Sequence, residues 1–153
     1  MIETIYYLKD TKKVDTNGVS AVICATSNVA KFHKESCFKT DTAVLIENDV
    51  EGVARIGVDG VYFTADASIK DIKSLRKKDI NIQIGMDCGV SKHIAMLVGE
   101  SGADFVMFSG GILEVSPIVR WWGEMMEIPV VAWTDDMPIT DESTLVDFIV
   151  KSV

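Results

Sequence analysis

The chain has 153 residues, 48% of them apolar and 25% charged, a length and balance that support one self-sufficient core and exclude an unstructured polar segment. Its net charge of −8 argues against non-specific nucleic-acid binding, which needs a basic patch. No apolar run reaches the roughly 20 residues of a membrane span, and the acidic start Met1-Ile2-Glu3-Thr4 has no signal-peptide apolar region. One cytoplasmic domain over residues 1–153 is expected, with neither nucleic acid nor membrane as partner. Cys24, Cys37 and Cys88 are odd in number and show no CxxC spacing, so they read as free or buried thiols in a reducing compartment.

Along the chain, Thr4–Leu8 reads as a strand, and the polar, turn-forming residues 9–18 as a loop. Val19–Ala25 and Thr42–Glu47 are further strands. Asp49–Gly57 follows as a helix with Val50, Val53 and Ala54 on one face, then Gly60–Phe63 as a strand. Ser68–Lys78 is helical, with Ile69, Ile72 and Leu75 inward and Lys and Arg outward. Asn81–Met86 is a strand, and Ser91–Gly102 a helix behind a Ser cap with a glycine stop. Asp104–Phe108 is a strand. Glu114–Glu127 is a helix with Pro117 in its first turn, and Pro129–Trp133 a strand. Residues 145–153 fit a strand or a short helix capped by Thr140 or Asp141, with the strand preferred. The strand runs are short and almost continuously apolar, as in parallel sheets covered on both faces.

One connection recurs. Arg55-Ile56-Gly57-Val58-Asp59-Gly60-Val61-Tyr62-Phe63 and Glu100-Ser101-Gly102-Ala103-Asp104-Phe105-Val106-Met107-Phe108 each close a helix on Gly, add a small residue and Asp, and enter a strand. Leu145-Val146-Asp147-Phe148 reads as a third copy lacking the Gly. Helix, Gly turn, strand is the repeat of a parallel βα sheet or barrel.

These segments resemble the thiamine-phosphate synthase/TenI family. The resemblance rests on Ala43–Asp49, Ala54–Phe63, Ile84-Gly85, Gly99–Phe108, Trp121-Trp122 and Ile128–Trp133, in order, and spans about residues 42–133. It implies a (β/α)8 TIM-barrel-like fold, here shortened, with helices reduced or missing at the two ends. It also implies a transferase of thiamine biosynthesis that joins hydroxymethylpyrimidine diphosphate to thiazole phosphate with Mg2+. Uncovered faces at the two ends would need cover, which a homodimer or other homo-oligomer supplies.

The family's chemistry maps unevenly onto this chain. The resemblance places its Gln-X-Arg-X-Lys diphosphate grip after the second strand, in the stretch Ala21-Val22-Ile23-Cys24-Ala25-Thr26-Ser27-Asn28, where no Gln, Arg or Lys stands. Its Asn-Asp pair is kept as Asn48-Asp49, making Asn48 a substrate-binding and Asp49 a metal-binding candidate. Asp66 becomes the second metal candidate if its loop shifts by one residue. Asp87-Cys88-Gly89 stands where the family's fifth strand ends in Ser, which makes Asp87 and Cys88 catalytic candidates. Ser109-Gly110-Gly111 replaces a Gly-Pro loop and is a candidate phosphate nest for a small-molecule phosphate ligand. Trp133-Thr134-Asp135-Asp136 replaces a Gly-Gly phosphate site with two carboxylates.

Each residue also has a plain structural role open to it. Asp49 is well placed as a helix cap, Asp66, Asp87, Asp135 and Asp136 as solvated loop carboxylates or caps, Cys88 as an inert buried thiol and His93 as a helix-surface residue. Trp121-Trp122 with Met125-Met126 fits core plus an oligomer-facing edge. Expected functions are therefore a synthase-like protein with activity lost or altered, a metal-assisted enzyme using the acidic rim, or a non-catalytic binding or oligomerisation module.

Overall fold

The computed structural model describes residues 1–135 and 137–153. Eight parallel strands close into a barrel in chain order: β1 (Glu3–Leu8), β2 (Ala21–Cys24), β3 (Ala43–Glu47), β4 (Gly60–Phe63), β5 (Gln83–Asp87), β6 (Phe105–Gly110), β7 (Val130–Thr134) and β8 (Phe148–Ser152), which pairs back onto β1. Helices α1 (Ser27–Lys39), α2 (Val50–Ile56), α3 (Ile69–Lys78), α4 (Lys92–Glu100) and α5 (Ile112–Met125) follow β2 to β6. Among the described residues no α-helix joins β1 to β2, and only a 3-10 turn at Glu142–Thr144 lies between β7 and β8. The expected barrel is thus present, with helices lacking in its first and seventh connections.

Alternation along each strand divides two cores. Ile5, Ile23, Leu45, Phe105, Met107 and Val131 point into the barrel and fill it. Gly85 on β5 makes that filling possible, since a Cβ there would lie 1.9 Å from the Phe105 ring. Outward residues pack under the helices. Val22, Cys24, Val44 and Ile46 meet Val29, Ala30 and Cys37 of α1, and Ile84, Val106 and Phe108 join the layer that holds Trp122 of α5.

The recurrent Asp closes the bottom of the barrel. Val44 N–H donates to the Asp59 carboxylate (2.8 Å) while Asp59 N–H donates to Val44 O (2.9 Å). Ile84 and Asp104 repeat the exchange at 2.8 and 2.7 Å, and Val130 and Asp147 at 2.9 and 3.1 Å. Each carboxylate completes the ladder of the preceding strand where its neighbour has not yet begun. The turn before each Asp is left-handed, at Gly57 (φ 78°), Gly102 (φ 102°) and Leu145 (φ 64°). Leu145 therefore adopts without glycine the conformation its counterparts reach with it.

Three elements differ from the sequence expectation. α1 carries no clear helical signal: its buried residues Val29, Ala30, His33 and Cys37 form a narrow face that includes a histidine, while Phe32 and Phe38 point outward. His33 is nevertheless satisfied, its Nε2 lying 2.9 Å from Asp10 O and tying the β1–β2 loop to the helix. α5 begins at Ile112, two residues before Glu114, which puts Pro117 in the second turn rather than the first. Ahead of the C-terminal strand, Asp141 caps an unexpected 3-10 turn at Glu142–Thr144, while residues 145–153 form the preferred strand, Phe148–Ser152, and no helix.

Candidate functional site

In such barrels the C-terminal ends of the strands carry the chemistry. Side chains from several strands converge there on the barrel axis. Tyr7 of β1 donates its hydroxyl proton to Glu47 Oε2 of β3 at 2.8 Å. Ser109 of β6 donates to the Asp87 carboxylate of β5, with oxygens at 2.8 and 2.9 Å. Tyr62 of β4 lies just below, fully buried, its hydroxyl 3.5 Å from Met107 Sδ. Trp133 of β7 sets its ring 4.9 Å from that of Tyr7 at 48°, and Lys9 Nζ sits 5.8 Å from the Tyr7 ring centre.

Burial, reinforced by the Asp87 and Glu47 charges, pushes the Tyr62 hydroxyl well above the usual tyrosine range. Burial and the hydrogen bond to Glu47 do the same for Tyr7. Both phenols therefore remain neutral proton donors at physiological pH, and the negative charge of the mouth resides on the two carboxylates. Beside them a hollow of about 640 Å3 opens between Trp133, Asp135, Pro138, Lys151 and Ser152. A second, larger hollow of about 680 Å3 lies outside the barrel between α1 and the start of β3, lined by Lys31, Lys34 and Phe38, and so away from this chemistry.

Asp87 and Ser109 are the candidates that the fold brings together. Asn48, with φ 58°, uses its amide to join two loops, accepting from Thr64 N–H and donating to Thr64 Oγ1, both at 3.1 Å. Asp49 caps α2 through Gly52 N–H (2.9 Å) and lies 3.5 Å from Arg55. Asp66 is exposed in the turn closed by Ala67 N–H and Thr64 O. Cys88 is buried, and desolvation followed by the Asp87 charge pushes its thiol up to about 12, so it stays protonated at neutral pH. Gly110 (φ 137°) and Gly111 lead into α5, with Gly111 as a cap that supplies no side-chain bond. His93 is exposed on α4. Asp135 donates its N–H to Gly110 O at 3.0 Å, and Asp136 lies outside the described residues.

The donor set does not fit the Mg2+ that the resemblance implies. Among the described residues no three His, Cys, Asp or Glu side chains gather as an ion would require. Asp49 is engaged by the α2 cap and Arg55, and Asp66 is exposed in the turn after β4, so neither belongs to a group of three ligating side chains among the described residues. The acidic rim read from the sequence likewise fails to converge among the described residues. Sequence reasoning missed Tyr7, Glu47, Tyr62 and Trp133. The one signal for them is strand parity: Glu47 shares the face of Leu45, and Tyr7 that of Ile5.

No family model matches the chain. It is 35% identical over 102 residues to the thiamine-phosphate synthase of Rhodospirillum centenum, a match covering 60% of this chain and 48% of that protein. It is 30% identical over 108 residues to the thiamine-phosphate synthase of Erythrobacter litoralis, covering 63% and 50%. The chain thus spans about half the length of the synthases it matches. The solved thiamine phosphate pyrophosphorylase from Pyrococcus furiosus superposes with a TM-score of 0.79 over 99% of this chain and 85% of that one, at 17% identity, which speaks for the fold. Among the described residues no helix is long and apolar enough to cross a membrane. Barrel closure and strand order thus give the chain the fold of that pyrophosphorylase, and over about 60% of its length the chain is similar in sequence to thiamine-phosphate synthases.

Proposed function

We propose that this thiamine-phosphate-synthase-like barrel has lost or altered the synthase reaction, and that its mouth accepts an uncharged or cationic small molecule. The observation that carries the reading is the placement of Glu47 and Asp87 on the barrel axis, each hydrogen-bonded to a neutral hydroxyl, Tyr7 or Ser109. A diphosphate entering there meets like charge. Two unit charges 4 Å apart repel by about 4 kcal/mol at an effective dielectric of about 20. β2 ends in Cys24 and runs through Ala25 and Thr26 into α1, so the strand end that would have to supply compensating cations supplies none. Lys9 and Lys151 are the cations beside the mouth, Lys9 over the Tyr7 ring and Lys151 in the wall of the neighbouring hollow.

The same groups suit a flat molecule bearing N–H donors. Glu47 and Asp87 accept hydrogen bonds, and the Tyr7 and Trp133 rings offer apolar faces that also attract positive charge. The family's Mg2+ has no assembled donor set among the described residues, so no step is assigned to it.

The test mixes the protein with hydroxymethylpyrimidine diphosphate, thiazole phosphate and Mg2+ and follows thiamine phosphate by chromatography. The expected result is no product, and no growth when the chain is expressed in a thiamine-requiring strain. In parallel, calorimetry should detect the unphosphorylated hydroxymethylpyrimidine in preference to its diphosphate, with binding weakened at least tenfold in Glu47→Gln and Asp87→Asn. Turnover to thiamine phosphate, or tighter binding of the diphosphate, would overturn the proposal.

A further inference from the structure

α1 and α2 leave a groove between them, outside the barrel. Its upper part, about 530 Å3, is lined by Ser27, Asn28, Lys31 and Lys34 of α1 and by Arg55 and Ile56 of α2. Lys31 and Lys34 also line its lower part, about 680 Å3, where Phe38, Ala43 and Val58 add an apolar wall. Ser27, Lys31, Lys34 and Phe38 are spaced by four, three and four residues, so one face of α1 forms a whole side of the groove. Lys34 Nζ reaches across to donate to Ile56 O at 2.7 Å. Phe38 is 85% exposed, an aromatic ring left in water at the foot of the groove.

We propose that this groove docks an acidic peptide segment of a partner protein, with its carboxylates in the upper part and an apolar side chain against Phe38. Charge selects that occupant. No carboxylate lines the upper part, and among the described residues neither Lys31 nor Lys34 forms an ion pair. Arg55 lies 3.5 Å from Asp49 but keeps 60% of its side chain exposed, which leaves it free to meet a second carboxylate. The lower part has the opposite sign, because Glu35, Asp41 and Asp59 border it. A segment acidic along its whole length is therefore repelled at the foot. One that passes from carboxylates to apolar side chains matches both parts. On a protein of net charge −8 most of the surface repels such a segment, and this cluster of cations is where it is steered.

The shape of the groove favours a chain over a compact anion. From Ser27 to Phe38 α1 rises about 16 Å at 1.5 Å per residue, the span of roughly five extended residues. A phosphate-sized ligand needs donors that converge on it and enclose it. Lys31, Lys34 and Arg55 are instead exposed and stand on two helices along an open cleft. A segment of that length buries little area, so the association belongs with weak, transient contacts and weakens with salt. It rests on the outside of the barrel and does not depend on what the mouth binds.

Fluorescence anisotropy of the peptide Asp-Glu-Glu-Leu-Leu, carrying a neutral dye, tests it on the intact chain. The expected result is saturable one-to-one binding that weakens at least threefold between about 50 and about 300 mM salt. Lys31→Glu with Lys34→Glu should weaken binding at least tenfold, with the circular dichroism spectrum unchanged. Lys31→Glu alone, which spares the Lys34–Ile56 bond, should weaken it at least threefold. Lys77→Glu with Lys78→Glu makes the same change in net charge at exposed positions of α3 and should weaken it less than threefold. Phe38→Ser, and the peptide Asp-Glu-Glu-Gly-Gly on the unaltered chain, should each lose at least threefold. Four results would each overturn the proposal. They are no saturation up to about 1 mM peptide, equal weakening by the two double charge reversals, tighter binding of inorganic pyrophosphate than of the peptide at Lys31 and Lys34, or binding to phosphatidylserine vesicles through those lysines with none to the peptide.

Discussion

Replacing Asp104 with alanine tests whether the recurrent Asp is a structural clasp, and whether Arg76 makes one copy stronger than the others. Asp104 accepts from Ile84 N–H at 2.8 Å and from the Arg76 guanidinium. Ile84 is fully buried, so its N–H would be left without a partner at a cost of about 1–3 kcal/mol. The Arg76–Asp104 pair is partly open to water, with side chains 21% and 36% exposed. Screening therefore limits its own contribution to about 1 kcal/mol. Arg76 also donates to Gly102 O (2.9 Å) and Ile82 O (2.9 Å), and those bonds weaken once its orientation is no longer held. Asp104→Ala should cost about 3 kcal/mol, and Asp59→Ala or Asp147→Ala, which lose only the strand clasp, about 2 kcal/mol. At about 2–4 °C per kcal/mol for a chain of this size, the first lowers Tm by roughly 9 °C and the others by roughly 6 °C. Asp104→Asn keeps an acceptor without the charge and should fall between wild type and Ala. Urea unfolding followed by circular dichroism, at constant m-value, is the assay. Equal losses at all three aspartates would refute the assignment of extra stability to Arg76, and Asn as damaging as Ala at 104 would refute the clasp.

Gly85→Ala should destabilise by about 3 kcal/mol, the upper end of overpacking costs, because its Cβ would meet the Phe105 ring. Adding Phe105→Leu should recover part of that loss in the same urea assay, and no recovery would mean the clash lies elsewhere. Cys24 and Cys88, both held up to about 12 by burial, should resist iodoacetamide at about pH 8 until urea unfolds the chain. Labelling of the native protein at either residue would contradict their burial. A thiol whose folded pKa is raised stays protonated in the native state while the unfolded chain ionises near its ordinary value of 9.0. The stability it confers is complete below about pH 9 and lost as pH rises towards about 12. Tm should therefore be flat up to about pH 9 and fall beyond it, and a Tm rising between about pH 9 and 11 would reverse the sign of the argument. Tyr7→Phe leaves Glu47 without its hydroxyl donor and should cost about 1 kcal/mol, while strengthening mouth ligands that donate to Glu47; an unchanged affinity would remove Glu47 from the site.

Local chemistry was legible wherever one segment carried its own signal. The Gly-X-Asp turns, the strand runs between Thr4 and Trp133, and the capped helices α2, α3 and α4 are all readable because glycine stops, serine or aspartate caps and apolar spacing act within a few residues. α1 was hidden because its inward face includes His33 and Cys37 while both of its phenylalanines face out. Leu145 lacked the glycine that marks its counterparts, although its backbone makes the same turn. Signals of short range, repeated along the chain, therefore determined the parallel βα order, and with it the barrel.

The candidate site was less legible, because it is a property of closure. Asp87 and Ser109 are 22 residues apart in sequence, and Tyr7 and Glu47 are 40 apart. Continuous apolar strands conceal which alternate residue points inward, since both faces are buried. Only the circular pairing of β1 with β2 and β8, together with the register across each neighbour, turns Tyr7, Glu47, Tyr62, Asp87 and Trp133 onto one axis. The sequence by itself determined the scaffold, through short-range preferences repeated along the chain. The tertiary structure decided that the mouth is acidic and aromatic, and that Asp49 is taken up as the cap of α2. Convergence of side chains from five strands is a long-range constraint that no single segment encodes.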